Sequence, residues 1–147
     1  MTTKSKNPLE SSATHLLHRA GQRAADIFAE EAKKGGLTPR QYAVLAGVSQ
    51  EEGLPQAELV ARTGIDRSTL ADIVARLLSR GLIQRKRAKE DGRAYAIKLS
   101  AKGAKALAKA RPAASAADSR LLAGLSATKR NEFLQTLAKI VADGEDR

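Results

Sequence analysis

The 147-residue sequence predicts a mainly α-helical protein with one small β-hairpin. Three observations carry that reading. Apolar residues recur at helical spacing over most of the chain. One stretch, RKRAKEDGRAYAIKLS at residues 85–100, switches to a period of two around an Asp-Gly. Aromatic residues are only 3% of the total, so the core must be Leu, Ile, Val and Ala, a mixture that suits close helix packing better than a thick sheet sandwich.

Taken in order, the polar MTTKSKNP at residues 1–8 reads as a disordered start. A first helix is expected from Leu9 to about Lys34, where Leu16, Leu17, Ala20, Ala24, Ile27 and Phe28 keep the spacing until Gly35-Gly36 stops it. Thr38-Pro39 then supplies an N-cap followed by the residue preformed for the first helical position. Tyr42, Val44, Leu45 and Val48 carry this second helix to about Gln50, and Gly53 breaks it.

Pro55 opens a short third helix with Leu59 and Val60 facing inward, and Gly64 ends it where a left-handed residue costs least. Asp66 is a good N-cap for a fourth, with Ile65 before it as a staple and an apolar stripe of Leu70, Ile73, Val74, Leu77 and Leu78 ending at Gly81. The opposite face shows Arg67, Ser68, Ala71, Asp72, Ala75 and Arg76. The string PQAELVARTGIDRSTLADIVARLLSRG therefore reads as a helix-turn-helix. Any two amphipathic helices joined by Gly look alike, so the next segment decides.

There, Leu82-Ile83 with Arg85 and Arg87 predicts one strand and Ala94 to Leu99 another, joined by a turn at Glu90-Asp91-Gly92. Tyr95, Ile97 and Leu99 alternate, which places all three on one face for packing against the preceding helices. A hairpin directly after a helix-turn-helix is a winged helix. Beyond Ser100, residues 101–123 are Ala-rich with Pro112 in their middle, predicting a kinked helix or two helices. Ser126 then caps a last helix with a stripe of Phe133, Leu134, Leu137, Ile140 and Val141, before a charged tail.

The formal charge of +10 inclines the chain toward polyanions. Residues 62–102 hold eleven Lys or Arg against four acids, so most of the excess lies in one segment. The absence of cysteine excludes disulfides, thiol chemistry and cysteine-ligated zinc. With no apolar run after Lys4 and Lys6 and no apolar stretch long enough for a membrane span, the chain is expected to be cytoplasmic.

The blocks LTPRQYAVL, GLPQAELVARTGIDRSTLADIVARLLSRGLIQRKRAKEDGRAYAIKLSAKG and GLSATKRNEFLQTLAKI resemble the MarR family of bacterial transcriptional regulators over nearly the whole chain. The middle block is the most specific, joining a helix-turn-helix, an RGLI helix exit, a wing with Asp-x-Arg and an LSAKG entry to the next helix. The resemblance implies a homodimer whose helical dimerisation region is residues 9–36 and 100–147. Residues 37–99 become a DNA-binding lobe, two of which read a palindromic double-stranded operator. Two departures stand out. Gly92 occupies a place where relatives often carry a basic residue, and Ala71 and Asp72 stand where polar and basic residues are common.

Base edges require side chains at the start of the fourth helix, namely Arg67, Ser68, Thr69 and Asp72, although Asp72 suits an intrahelical pair with Arg76 better. Arg76, Arg85, Lys86, Arg87 and Lys89 are candidates for phosphates. Asp91 and Arg93, two apart, point the same way if extended. The carboxylate then holds the guanidinium for entry into a narrow minor groove, a use the family makes of such a wing arginine.

The resemblance also implies a small-molecule effector, often an aromatic anion, in a crevice bordered by His15, His18 and Arg19 of the first helix and Arg40 and Tyr42 of the second. An aromatic acid or its coenzyme A thioester would suit these groups. The two histidines read equally as plain surface residues at a dimer contact, and with no nearby third ligand no metal site is expected. The competing class is a basic architectural or RNA-binding protein without operator specificity. Neither a nucleophile-base pair nor a phosphate-cradling Gly loop is present, so no enzyme and no cofactor are expected.

Overall fold

A computed structural model of the chain describes residues 7–87 and 95–145. The start of the N-terminal segment, the turn at Glu90-Asp91-Gly92, the residues Lys89, Asp91 and Arg93, and the end of the charged tail lie outside the described residues.

The first helix, α1, spans Ala13–Ala32, later than its apolar spacing suggests. Ser12 caps it by accepting the His15 N–H at 3.2 Å, and a hydroxyl in that position competes with helix continuation. Leu9 instead falls in a 3₁₀ turn over Pro8–Ser11. Helix α2, Pro39–Gln50, is as expected and carries a reciprocal capping box between Thr38 and Gln41.

Pro55 departs from its predicted role. It is the N-cap of α3, Gln56–Thr63, and with Leu54 forms a two-residue strand, β1. Two residues are too few for any periodicity to announce a strand. Gly64 closes α3 at φ +70, and Asp66 caps α4, Arg67–Ser79. The strands β2, Ile83–Arg87, and β3, Tyr95–Leu99, pair antiparallel with Arg85 opposite Ile97 and Arg87 opposite Tyr95. Strand β1 adds to the other edge of β3, giving the order β1-β3-β2.

Leu45, Leu59, Leu70, Leu77 and Ile97 are wholly buried where these helices meet the sheet. Helix α5, Ala101–Leu121, runs unbroken through Pro112, so the two-helix alternative does not hold. Its start is pressed onto the residue that precedes β2: a Cβ on Gly103 would overlap the Leu82 carbonyl, which accepts the Ser100 N–H. Further along, α5 packs on α1 through Ile27, Phe28 and Ala117. Arg120 of α5 bonds Glu30 at 2.7 Å and Glu31 at 3.3 Å.

The last helix, α6, Ala127–Glu145, begins at Ser126 as expected but makes only marginal contact with its own chain. Among the described residues no helix is long and apolar enough to cross a membrane.

Candidate nucleic-acid interface

The site begins with the cap of α4. The Asp66 carboxylate accepts the Thr69 N–H at 2.9 Å and the Thr69 hydroxyl at 2.8 Å. These two bonds, the backbone one first, hold the Asp66 carboxyl below its ordinary range, and the Arg40 charge adds to them. Thr69 is thus half-buried with its hydroxyl proton committed, which leaves it only acceptor capacity toward a ligand.

The rest of the predicted face is open. Arg67, Ser68, Ala71, Asp72, Ala75 and Arg76 are all exposed along one side of α4, opposite the buried Leu70, Ile73, Val74 and Leu77. No ion pair joins Asp72 to Arg76 among the described residues, contrary to the pairing their spacing suggested. Both carry their charge to solvent, where such a pair gains little over hydration.

The hairpin revises the reading of Tyr95. Ile97 is buried and Leu99 half-buried as expected, but Tyr95 is 38% exposed and packs no core. Its ring lies beneath two guanidinium groups, Arg85 at 4.7 Å and Arg87 at 5.9 Å from the centroid. Strand β3 outruns the helices at this end, so a residue at the right parity has no core to reach. Stacked arginines keep their N–H groups free at the edges of the plane, ready for phosphate oxygens. Register places Arg87 directly opposite Tyr95.

The predicted effector residues do not all meet. Arg40 and Tyr42 line a crevice of about 720 Å³ between α1, α2 and α5, together with Ala24, Phe28, Asp118 and Leu121. The Tyr42 ring stacks on Phe28 at 5.9 Å. His15, His18 and Arg19 lie nearer the start of α1 and do not line this crevice of their own chain.

The sequence model of the MarR family matches residues 35–94. Transcriptional regulator HosA of Escherichia coli is 32% identical over 133 residues, 90% of this chain and 97% of HosA. The chain belongs to the MarR family. A second MarR-type relative, the HTH-type transcriptional repressor NicR of Pseudomonas putida, is 31% identical over 152 residues, covering 99% of this chain and 96% of NicR.

Solved MarR-like structures extend the likeness to the whole fold. The PcaV regulator of Streptomyces coelicolor, solved with its natural ligand, superposes with a TM-score of 0.86 at 28% identity, over 97% of this chain and 98% of PcaV. The repressor CouR on a 23-mer DNA duplex gives 0.84 at 28%, over 95% and 99%. BpsR of Bordetella bronchiseptica, whose DNA binding is regulated by 6-hydroxynicotinic acid, gives 0.81 at 26%, over 87% and 97%. This MarR-family chain is a winged-helix DNA-binding transcriptional regulator, and the relatives named are regulators rather than enzymes.

Proposed function

We propose that the protein is a homodimeric, operator-specific repressor that a small anionic, aromatic effector releases from DNA. The observation that carries the dimer is a set of large apolar side chains on α1 and α6 that the described residues leave uncovered. Leu16, Leu17, Leu134, Ile140 and Val141 are between 46% and 60% exposed on α1 and α6. Surfaces of this kind on a folded protein mark association sites. A two-fold pair of identical patches closes on itself and matches a palindromic operator.

In this reading residues 37–99 form the DNA-binding lobe, while residues 9–36 and 100–147 form the dimerisation region. Helix α4 enters the major groove with Arg67, Ser68, Thr69 and Asp72 toward base edges. Arg76, Arg85, Arg87 and Lys89 take phosphates, and Arg93, held by Asp91, takes the adjacent minor groove. The duplex on CouR, a relative of the same fold, supports double-stranded DNA as the partner.

The effector occupies the Arg40–Tyr42 crevice, where a guanidinium and two stacked rings suit an aromatic acid. His15, His18 and Arg19 enter as residues of the second copy's α1. The 6-hydroxynicotinic acid named for BpsR supports this class, and the natural ligand bound by PcaV supports a small-molecule effector as such. Arg40 also offers a route to DNA, because its charge bears on Asp66 at the start of α4.

The test is footprinting upstream of the protein's own gene, followed by competition with random duplex. A protected two-fold site that resists excess random DNA, and is released by 6-hydroxynicotinic acid or a related aromatic acid, is expected. Equal affinity for any duplex would sink operator specificity. An Arg40→Ala protein still released by the acid would sink the effector site.

A further inference from the structure

A second cleft, of about 660 Å³, lies on another side of α5, between the end of α1, the α1–α2 loop and the end of α4. Its volume is in the range of pockets that hold small organic ligands. Four cations line it, Lys33, Lys34, Arg80 and Lys109, and the one acid on its wall, Glu31, is already paired with Arg120. None of the four cations has an ion-pair partner among the described residues. Like charges around one concavity repel each other unless an anion stands between them. The floor is apolar, made of Leu37 and the α5 residues Ala106, Ala110 and Ala113.

Two further observations fall on the same wall. Lys33 is the only non-glycine with positive φ among the described residues, at φ 64 and ψ 175. That conformation is nearly reserved for glycine and persists only when its surroundings impose it. Here the neighbour Gly36 sits so close to Ala32 that an added Cβ would come within 2.5 Å of the Ala32 carbonyl oxygen, so the loop folds tightly back over the end of α1. Arg80 is the second. It is the C-cap of α4, and its guanidinium reaches across the cleft mouth to the Gly35 carbonyl at 3.3 Å and Gln41 Oε1 at 3.4 Å. Both bonds are long and both acceptors neutral, so a charged acceptor competes for this group with advantage.

We propose that this cleft is an anion-binding site separate from the Arg40–Tyr42 crevice, taking a compact apolar compound with a doubly charged head such as a phosphate monoester. The head lies among Arg80, Lys33 and Lys109, and the apolar body lies on the alanines of α5. Because the Arg80 side chain ties the C-terminal end of α4 to the α1–α2 loop and to α2, its transfer from Gly35 and Gln41 to the ligand couples occupancy to the setting of the recognition helix.

The experiment is calorimetric titration of the full-length protein with cyclohexyl phosphate at physiological salt, with cyclohexanecarboxylate as the singly charged control; neither is aromatic, so neither suits the stacked rings of the other crevice. One saturable site per chain is expected, with the phosphate bound more tightly than the carboxylate. Lys33→Gln/Lys109→Gln should weaken the phosphate about tenfold or more, since contacts to charged groups are individually strong. Tyr42→Ala, which alters the other crevice, should leave phosphate binding unchanged.

Equal binding in the Lys33→Gln/Lys109→Gln protein, or loss in Tyr42→Ala instead, overturns the assignment. Circular dichroism of each variant separates a lost site from a lost fold.

Discussion

The winged lobe and the terminal helices bury their apolar residues to opposite extents. In the lobe, Leu45, Leu59, Leu70, Leu77 and Ile97 are sealed from water, and the largest side chains interlock around the helix-turn-helix. On α6, Leu134 is 50% exposed and Val141 60%, although their spacing is as regular as any stripe in the lobe. Periodicity therefore says which face of a helix must be covered, not whether the same chain covers it. The lobe closes on itself, whereas α6 and the start of α1 carry the demand outward.

The largest effect separating the two regions is expected from truncation in the sealed core. Leu70→Ala should lower stability by about 2–5 kcal/mol, read from the urea midpoint, because Leu70 is wholly buried in the main core and its loss leaves a cavity there. A loss below about 1 kcal/mol would mean the lobe is looser than its burial implies. Next comes Leu134→Asp/Ile140→Asp on the open face. If the proposed dimer forms through this face, sedimentation should give one copy for the variant and two for the unaltered protein, and operator affinity should fall about a hundredfold or more as bivalency is lost. An unchanged sedimentation coefficient would remove α6 from the dimer contact.

A smaller effect is expected at the α4 cap. Asp66 has its folded carboxyl depressed by the Thr69 backbone and hydroxyl bonds. Its stabilisation is therefore full above the ordinary carboxylate range and is lost as pH falls through the lowered folded value. Asp66→Ala should reduce the thermal midpoint at neutral pH and show a shrinking deficit on acidification. Asp66→Asn, which caps without titrating, should keep most of the midpoint and lose the pH dependence. A deficit in Asp66→Ala that is constant with pH would refute the charged cap.

The smallest belongs to the wing. Tyr95→Ala should leave the fold intact but weaken operator binding several-fold, in line with about 0.5–1 kcal/mol for a cation over an exposed ring, while Tyr95→Phe should bind as well as the unaltered protein. Binding indifferent to Tyr95→Ala would make the stacked arginines bystanders.

Much of this was legible beforehand because it depends on neighbours in sequence. The caps at Thr38, Asp66 and Ser126 and the left-handed Gly64 satisfy local backbone needs, and each lies where its residue type predicts. The exposed side of α4 follows from its buried side. What stayed hidden depends on partners far along the chain. Strand β1 exists only because β3 offers an edge to Leu54, and Pro55 is drawn from helix start to strand end by that pairing. Tyr95 has the parity of a core residue, yet the core stops at Ile97. Asp72 and Arg76 have the spacing of a pair, yet solvent holds them apart.

By itself, then, the sequence determined a winged helix-turn-helix, its basic segment and the residues that face outward on α4, because helical and strand periods and capping chemistry act over a few residues. Only the tertiary structure decided which apolar faces are sealed within one chain. It also decided that Arg40 and Tyr42, but not His15, His18 or Arg19, share a crevice, and that Arg80 bridges the end of α4 to the α1–α2 loop. Those are relations between segments tens of residues apart, set by how the helices pack.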